Sequence, residues 1–385
     1  MDIETLSIFV FFGVIGILIY LDKKNIEFNK GLAIRRTKKG IKILSEIAKK
    51  HRKFLIIVGN FAVGLCIVVS LVGLFFLVRA TFSGERSAGV VLPTVGEYRY
   101  PEPIYSVPFW YWIIAIFIIV TVHEPMHALF ARLERIKIKD MGILLFFVLP
   151  IGAFADPDQK QMKRLSTIKK LRIFAAGSFG NIIVAGIFFL LIMSYDFLVS
   201  SLIEGEGIVF EKTIENTGAQ EASLTGIINE IDGKEIKSLL DLSEAMKGIK
   251  PGDTIEVKTT QGTFQIKTTP NPENAEKPFI GISNPRTLFV YKGFIKNLGV
   301  VSEGTLSSLF WILGLLEWIF ILSLGVGLFN LFPIKPLDGG LMLEEIIKHF
   351  YKGRYVSHMV NGISLLVLSL LLTNLFGPSI LGLIK

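Results

Sequence analysis

The chain has 385 residues, 51% of them hydrophobic, and a mean hydropathy of +0.56, which excludes an ordinary soluble globular protein. Its formal charge of +8 would suit nucleic acid, but no nucleic-acid-binding motif accompanies it, and in a membrane protein Lys and Arg gather in cytoplasmic loops. The lone cysteine, Cys66, excludes an intramolecular disulfide and a cysteine metal cluster, and its place in an apolar run makes it a packing residue.

Six apolar runs, at residues 5–21, 54–80, 105–132, 171–201, 306–332 and 355–377, are long enough to cross a bilayer core of about 30 Å. The first run, Leu6 to Leu21, lacks a basic start and a small-residue cleavage site, so it reads as a retained span. The basic segment Lys23–Lys53 follows, with Arg35-Arg36, Lys38-Lys39 and Lys49-Lys50. The positive-inside rule puts it in the cytoplasm and the N-terminus outside. Within residues 36–50, Ile41, Leu44, Ile47 and Ala48 recur at helical spacing. This fits either an amphipathic helix on anionic lipid or a basic linker with some helix.

The third span then runs inward, and near its cytoplasmic end it carries His123-Glu124-Pro125-Met126-His127. An H-E-x-x-H spacing on a helix sets two imidazoles one turn apart on one face, able to share a zinc ion, with the Glu as general base. Polar groups at such depth carry a large desolvation cost unless they have a task. Pro125 removes one helical donor, so the Thr121 carbonyl loses its partner and a kink at the metal is expected.

Met141–Asp158 is very apolar up to Phe154, rich in glycine and proline, and too short to span. It predicts a membrane-dipping strand or hairpin, tolerated only beside protein or a water-filled cavity. The fourth span runs outward after Lys163-Arg164 and Lys169-Lys170, which leaves residues 203–288 outside. That segment is charged, with alternating runs. Ile227–Ile236 reads as strand, Asp-Gly turn, strand; Leu240–Met246 as a short helix opened by Asp241 or a nearby polar residue; Thr254–Lys258 and Thr263–Lys267 as a hairpin. The order is similar to a PDZ domain of the circularly arranged type found in proteases; the other reading is a small rigid α/β domain without a ligand.

The fifth span returns inward and ends at Pro333–Gly340; Lys348, Lys352 and Arg354 mark the last inner loop. A zinc hydrolase site wants a third ligand and an open position. Asp338, in Asn330-Leu331-Phe332-Pro333-Ile334-Lys335-Pro336-Leu337-Asp338-Gly339-Gly340, is the best candidate, at the inner end of the fifth span and at the depth of the histidine pair. A plain Asp-Gly turn is its alternative, and Asp156, Asp158 and Glu134 are rivals beside the basic loop. Glu317, mid-span, reads as a protonated carboxyl hydrogen-bonded between helices or as part of a water path.

The H-E-x-x-H helix, the apolar segment ending Gly152-Ala153-Phe154, the Asn330…Asp338-Gly339 stretch and the insert between them together resemble the site-2 protease family of intramembrane metalloproteases, over most of residues 105–350. The resemblance implies one zinc ion on His123, His127 and Asp338, Glu124 as catalytic base, and cleavage of transmembrane substrates near the cytoplasmic face. Gly177-Ser178-Phe179-Gly180-Asn181 looks like the family's glycine-to-asparagine motif. It implies substrate-binding or oxyanion roles for Asn181 and Asn330, with helix packing as the alternative, and a substrate-facing place for Gly152. Pro125-Met126 departs from the commoner pattern of an apolar residue followed by Gly.

The expected fold class is a polytopic α-helical membrane protein of about six transmembrane helices with an inserted small α/β PDZ-like domain. Residues 1–104 form two N-terminal helices and a basic loop. Residues 105–202 and 289–385 form the two parts of the catalytic core, and 203–288 the extracytoplasmic insert. The expected partners are a single-span transmembrane protein substrate, membrane lipid and a peptide tail at the insert, with no nucleic acid. A non-catalytic membrane PDZ scaffold and a metal-handling membrane protein are the competing functions. The first predicts a spoiled catalytic set, and the second predicts ligands spread along several spans and paired repeats.

Overall fold

The computed structural model describes residues 3–29, 32–96, 98–147, 149–272, 274–296 and 303–384. Helix α1 (Ile3–Leu21) leads into strands β1 (Ile26–Asn29) and β2 (Leu32–Thr37), then α2 (Ile41–Lys50) and α3 (Arg52–Ser83). A parallel pair, β3 (Val90–Thr94) and β4 (Ile104–Pro108), precedes α4 (Phe109–Leu133). Strands β5 (Ile138–Phe146) and β6 (Leu149–Pro157), the short α5 (Gln159–Lys163) and the long α6 (Thr167–Leu202) follow.

The chain divides into two compact units, one of residues 1–192 with 312–385 and the other of residues 193–311. The second unit holds strands β7 (Ile203–Val209), β8 (Lys212–Thr213), β9 (Ile228–Ile231), β10 (Lys234–Glu235), β11 (Thr254–Thr259), β12 (Gly262–Lys267), β13 (Thr269–Pro270), β14 (Pro278–Phe279), β15 (Ile282–Ser283) and β16 (Arg286–Tyr291). Helices α7 (Gly218–Glu221), α8 (Leu239–Ala245) and α9 (Gly293–Lys296) lie among them. The main sheet runs β12-β11-β9-β7-β16, with β10 on β9. Asp232 and Gly233, both at positive φ, make the tight turn between β9 and β10, as an Asp-Gly pair should. The α8 cap is Ser238 rather than Asp241: Ser238 Oγ accepts from Asp241 N at 3.2 Å, and the Asp241 carboxylate accepts from Ser238 Oγ and Lys237 N. Alternation buries Ile208, Ile228, Ile231, Ile255, Val257 and Ile266 in one core.

The chain closes with α10 (Glu303–Asn330), α11 (Asp338–Phe350) and α12 (Val356–Ile384). Among the described residues, six helices are long and apolar enough to cross a membrane: Ile3–Leu21, Arg52–Ser83, Phe109–Leu133, Thr167–Leu202, Gly304–Asn330 and Val356–Gly377. No more than 28% of any of these apolar windows is buried within the protein, so their apolar side chains are largely not covered by the rest of the chain. The third begins at Phe109, because residues 104–108 are drawn into β4. Helix α4 runs unbroken through Pro125.

Two features of the first unit were not visible in sequence. The basic segment after α1 is no mere linker: β1 and β2 extend the apolar hairpin into an antiparallel sheet of order β1-β2-β5-β6. Val148, between β5 and β6 in sequence, lies outside the described residues. Helix α2 buries Ala48 and packs Ile41 and Leu44 against the cluster that includes Phe130 and Leu133 of α4, while Arg132 Nε donates to Ser45 Oγ at 2.8 Å. Its apolar stripe therefore meets protein, with Ile43 and Ile47 left exposed. Cys66 is fully buried beside α6, its thiol 3.7 Å from the Ala175 carbonyl.

Candidate metal centre and active site

Helices α4, α6 and α11 and strand β6 meet around one point. From α4, His123 and His127 present Nε2 atoms 3.2 Å apart. Asp338 Oδ1 lies 3.4 Å from His127 Nε2 and Oδ2 3.6 Å from His123 Nε2. Ligands bound tetrahedrally at about 2.0–2.1 Å from one ion sit about 3.3–3.4 Å from each other. The triangle fits that spacing, and these three side chains form a group able to hold a metal ion.

Helix α6 is the template for the cluster. Ile173, Gly177 and Asn181 recur every four residues, with Ser178 beside Gly177 and three before Asn181, and so line one side of the helix. The Ile173 carbonyl is 2.7 Å from His127 Nδ1. A carbonyl only accepts, so Nδ1 carries the proton and Nε2 keeps its lone pair. Ser178 Oγ donates to Asp338 Oδ2 at 3.0 Å. The fully buried Asn181 amide lies 3.0 Å from His123 Nδ1, and its Oδ1 has no other partner. Turned about its axis, that amide sets Oδ1 against Nδ1–H, which again leaves Nε2 bare.

A Cβ added to Gly177 would stand 2.2 Å from His127 Nε2 and 2.7 Å from His123 Nε2. The space before the two nitrogens is thus kept clear by a residue without a side chain. Two bare imidazole nitrogens and a carboxylate converging there, with no proton donor between them, repel unless a cation stands among them. The donor set therefore fits a divalent ion of the zinc type.

Asp338 is not on the fifth span, as the sequence suggested, but opens the separate helix α11, eight residues after α10 ends at Asn330. A carboxylate in a first helical turn is favoured by the helix dipole. The corner is tight: a Cβ on Gly339 would meet the Leu331 carbonyl oxygen at 2.1 Å, and one on Gly340 the Ile334 carbonyl carbon at 2.5 Å. Ser70 Oγ donates to Leu331 O at 2.7 Å, and Ser364 Oγ accepts from Lys335 N at 3.1 Å. Beneath lies an ion network: Glu344 pairs with Lys335 at 2.5 Å and Lys348 at 2.9 Å, and Glu345 with Lys170 at 2.9 Å. Partial burial opposes ionisation of Glu344, but its bonds to Lys335 and Lys348 win and hold its carboxyl below the ordinary range.

Glu124 sits beside the cluster, and its Oε2 accepts the Ala155 N–H of β6 at 3.0 Å. Gly152 lies three residues earlier in β6, facing open space. Asn330 ends α10, half-buried, and lines neither cavity that reaches Glu124. The rival carboxylates have structural tasks. Asp158 caps α5 through Lys160 N and Gln161 N, whose N–H groups hold its carboxyl below the usual range. Asp156 pairs with Lys139 at 3.6 Å, and Glu134 with Arg172 at 2.6 Å. Glu317 is exposed on α10 rather than held between helices.

A helical membrane protein with an H-E-x-x-H span and an aspartate folded against it has the architecture of a membrane peptidase. The chain belongs to peptidase family M50, the site-2 protease family, whose family model matches residues 111–375. An uncharacterized protein of Methanocaldococcus jannaschii is 26% identical over 374 residues, 93% of this chain and 90% of its own length. A Clostridium perfringens protein named "Putative zinc metalloprotease" is 24% identical over 306 residues, 61% of this chain and 86% of its own. The family region begins inside α4, so α1, the β1–β2 hairpin and α3 lie ahead of it.

Proposed function

We propose that the protein is a zinc-dependent intramembrane endopeptidase that cuts transmembrane substrates near the cytoplasmic face, in regulated intramembrane proteolysis. The observation that carries this reading is the meeting of His123, His127 and Asp338 beside Glu124 and an edge strand. His123, His127 and Asp338 would hold the ion, which supplies Lewis acidity toward the scissile carbonyl and an acidified water. Glu124 takes the proton of the attacking water and passes it to the leaving amine, while Ala155 N–H orients its carboxylate. A helical substrate hides its peptide groups in its own hydrogen bonds and must first unwind. The outer edge of β6 pairs with the unwound strand and replaces the lost bonds. Asn181, buried against His123, serves best as its orienting partner, and Gly152, on the groove-lining strand β6, is the proposed substrate contact; Asn330, the other candidate, lines neither cavity at Glu124.

The division into residues 1–104, 105–202, 203–288 and 289–385 belongs to the same proposal, as does a cytoplasmic place for the basic loops and an outer one for the N-terminus. The insert acts as a PDZ-like domain that binds a substrate tail or holds back bulky ectodomains; its open sheet with edge strands β12 and β16 supports this reading. Proteolysis of a single-span substrate in liposomes tests the whole. Wild type cleaves, and Glu124→Gln loses at least about a hundredfold in rate with its metal content intact. Equal cleavage by both rejects the mechanism.

A further inference from the structure

Glu124 lines two cavities of opposite character. One, of about 560 Å³, is apolar and is walled by Phe11 and Ile15 of α1, Trp110 and Phe117 of α4, and Ile143 and Leu145 of β5. The other, of about 380 Å³, is lined by Gln159, Lys163, Lys170 and Glu345. Strand β6 joins them: Gly152, Ala153 and Phe154 line the first, Ala155 and Pro157 the second. The Ala155 N–H points away from β5 toward Glu124, and strand alternation turns the peptide groups of Ala153 the same way. The outer edge of β6 is thus a rail that passes Glu124 from apolar to polar surroundings.

We infer that this junction is a two-sided substrate subsite: an extended segment lies along β6 with apolar residues in the groove walled by α1 and an acidic residue beyond the cut, facing Lys163. The inference rests on the peptidase reading above. Residues of both β5 and β6 wall the apolar groove, so an extended segment paired along β6 lies in it. Pro125 has no N–H to give the Thr121 carbonyl, and both residues line the groove. On the polar side Lys170 is paired with Glu345, whereas Lys163 has no ion pair among the described residues. An acidic side chain is the complement of that free cation. Helix α1, outside the family region, becomes a specificity element of this chain. Its seat is light, with Trp110 Nε1 donating to Ser7 Oγ at 3.0 Å and Phe11 and Phe12 edge-on to Phe109.

The test uses the full chain in liposomes with single-span substrates carrying Asp or Lys on the polar side of the cleaved bond. Wild type should prefer Asp by about fivefold in kcat/KM, and Lys163→Glu should reverse the order. Phe11→Ala with Ile15→Ala should raise KM about tenfold with kcat and metal content held. In a Glu124→Gln background, Ile15→Cys should cross-link to a cysteine in the substrate's apolar half. Wild-type cleavage without either preference, together with absent cross-linking, overturns the inference, as does co-purified phospholipid that holds the groove against substrate. Cross-linking through Ile15→Cys, together with a wild type that cuts nothing, would uphold the subsite and reject the peptidase reading instead.

Discussion

Gly177 of α6 lies against His127 of α4 so closely that a methyl group on it would stand 2.2 Å from the imidazole Nε2. A hydrogen there is a condition for any ion in the cluster. Gly177→Ala should fold, because alanine favours a helix interior, yet lose metal affinity by at least about a hundredfold. Calorimetric titration with zinc checks this, beside a thermal melt. An unchanged affinity would remove the ion from the space assigned to it.

Ser178 orients Asp338 through one hydrogen bond at 3.0 Å. Its loss should weaken zinc binding by about 10–100-fold, the range for an outer partner of a ligand. Ser178→Thr should retain part of it, since the hydroxyl is kept. A competition assay with a chromophoric chelator separates the two variants; equal affinity in wild type and Ser178→Ala would leave the bond without a role.

The Lys335–Glu344–Lys348 network braces the corner that presents Asp338. The folded carboxyl of Glu344 lies below its ordinary value of 4.5. A depressed acid contributes stability that is present above its unfolded value and lost as pH falls through its folded value. Wild type should therefore melt higher than Glu344→Gln at about pH 7, and the gap should narrow as pH falls below 4.5. A gap that is constant with pH would show that charge at this position is irrelevant.

The sequence spoke most clearly where a local pattern carries its own physics. Apolar runs marked the six helices, and Asp232-Gly233 marked its turn. The spacing of His123 and His127 marked a shared face. It was silent on what distant packing decides. Ile26–Asn29 and Leu32–Thr37 lie among lysines and arginines, and only pairing with the apolar β5 makes them strands. Cross-strand company explains Gly142 too: Phe154 packs over its missing side chain, with Arg36 stacked on that ring at 5.3 Å. Asp338 meets the two histidines in the structure, yet its helix was misassigned, because Pro333 and Pro336 announce a break without saying that a new helix starts eight residues after the first ends. Gly177 and Ser178 were visible as a small-residue motif, but their meeting with the ligands depends on how α6 crosses α4.

The central claim is that one divalent ion is held jointly by α4 and α11. The most direct measurement is the zinc content of the purified full-length protein, wild type against Asp338→Ala, after dialysis against a weak chelator, with folding checked by circular dichroism. About one equivalent of zinc in wild type and less than about a tenth in the variant is the predicted result, since two ligands do not complete such a site. Equal zinc in both folded proteins would contradict it.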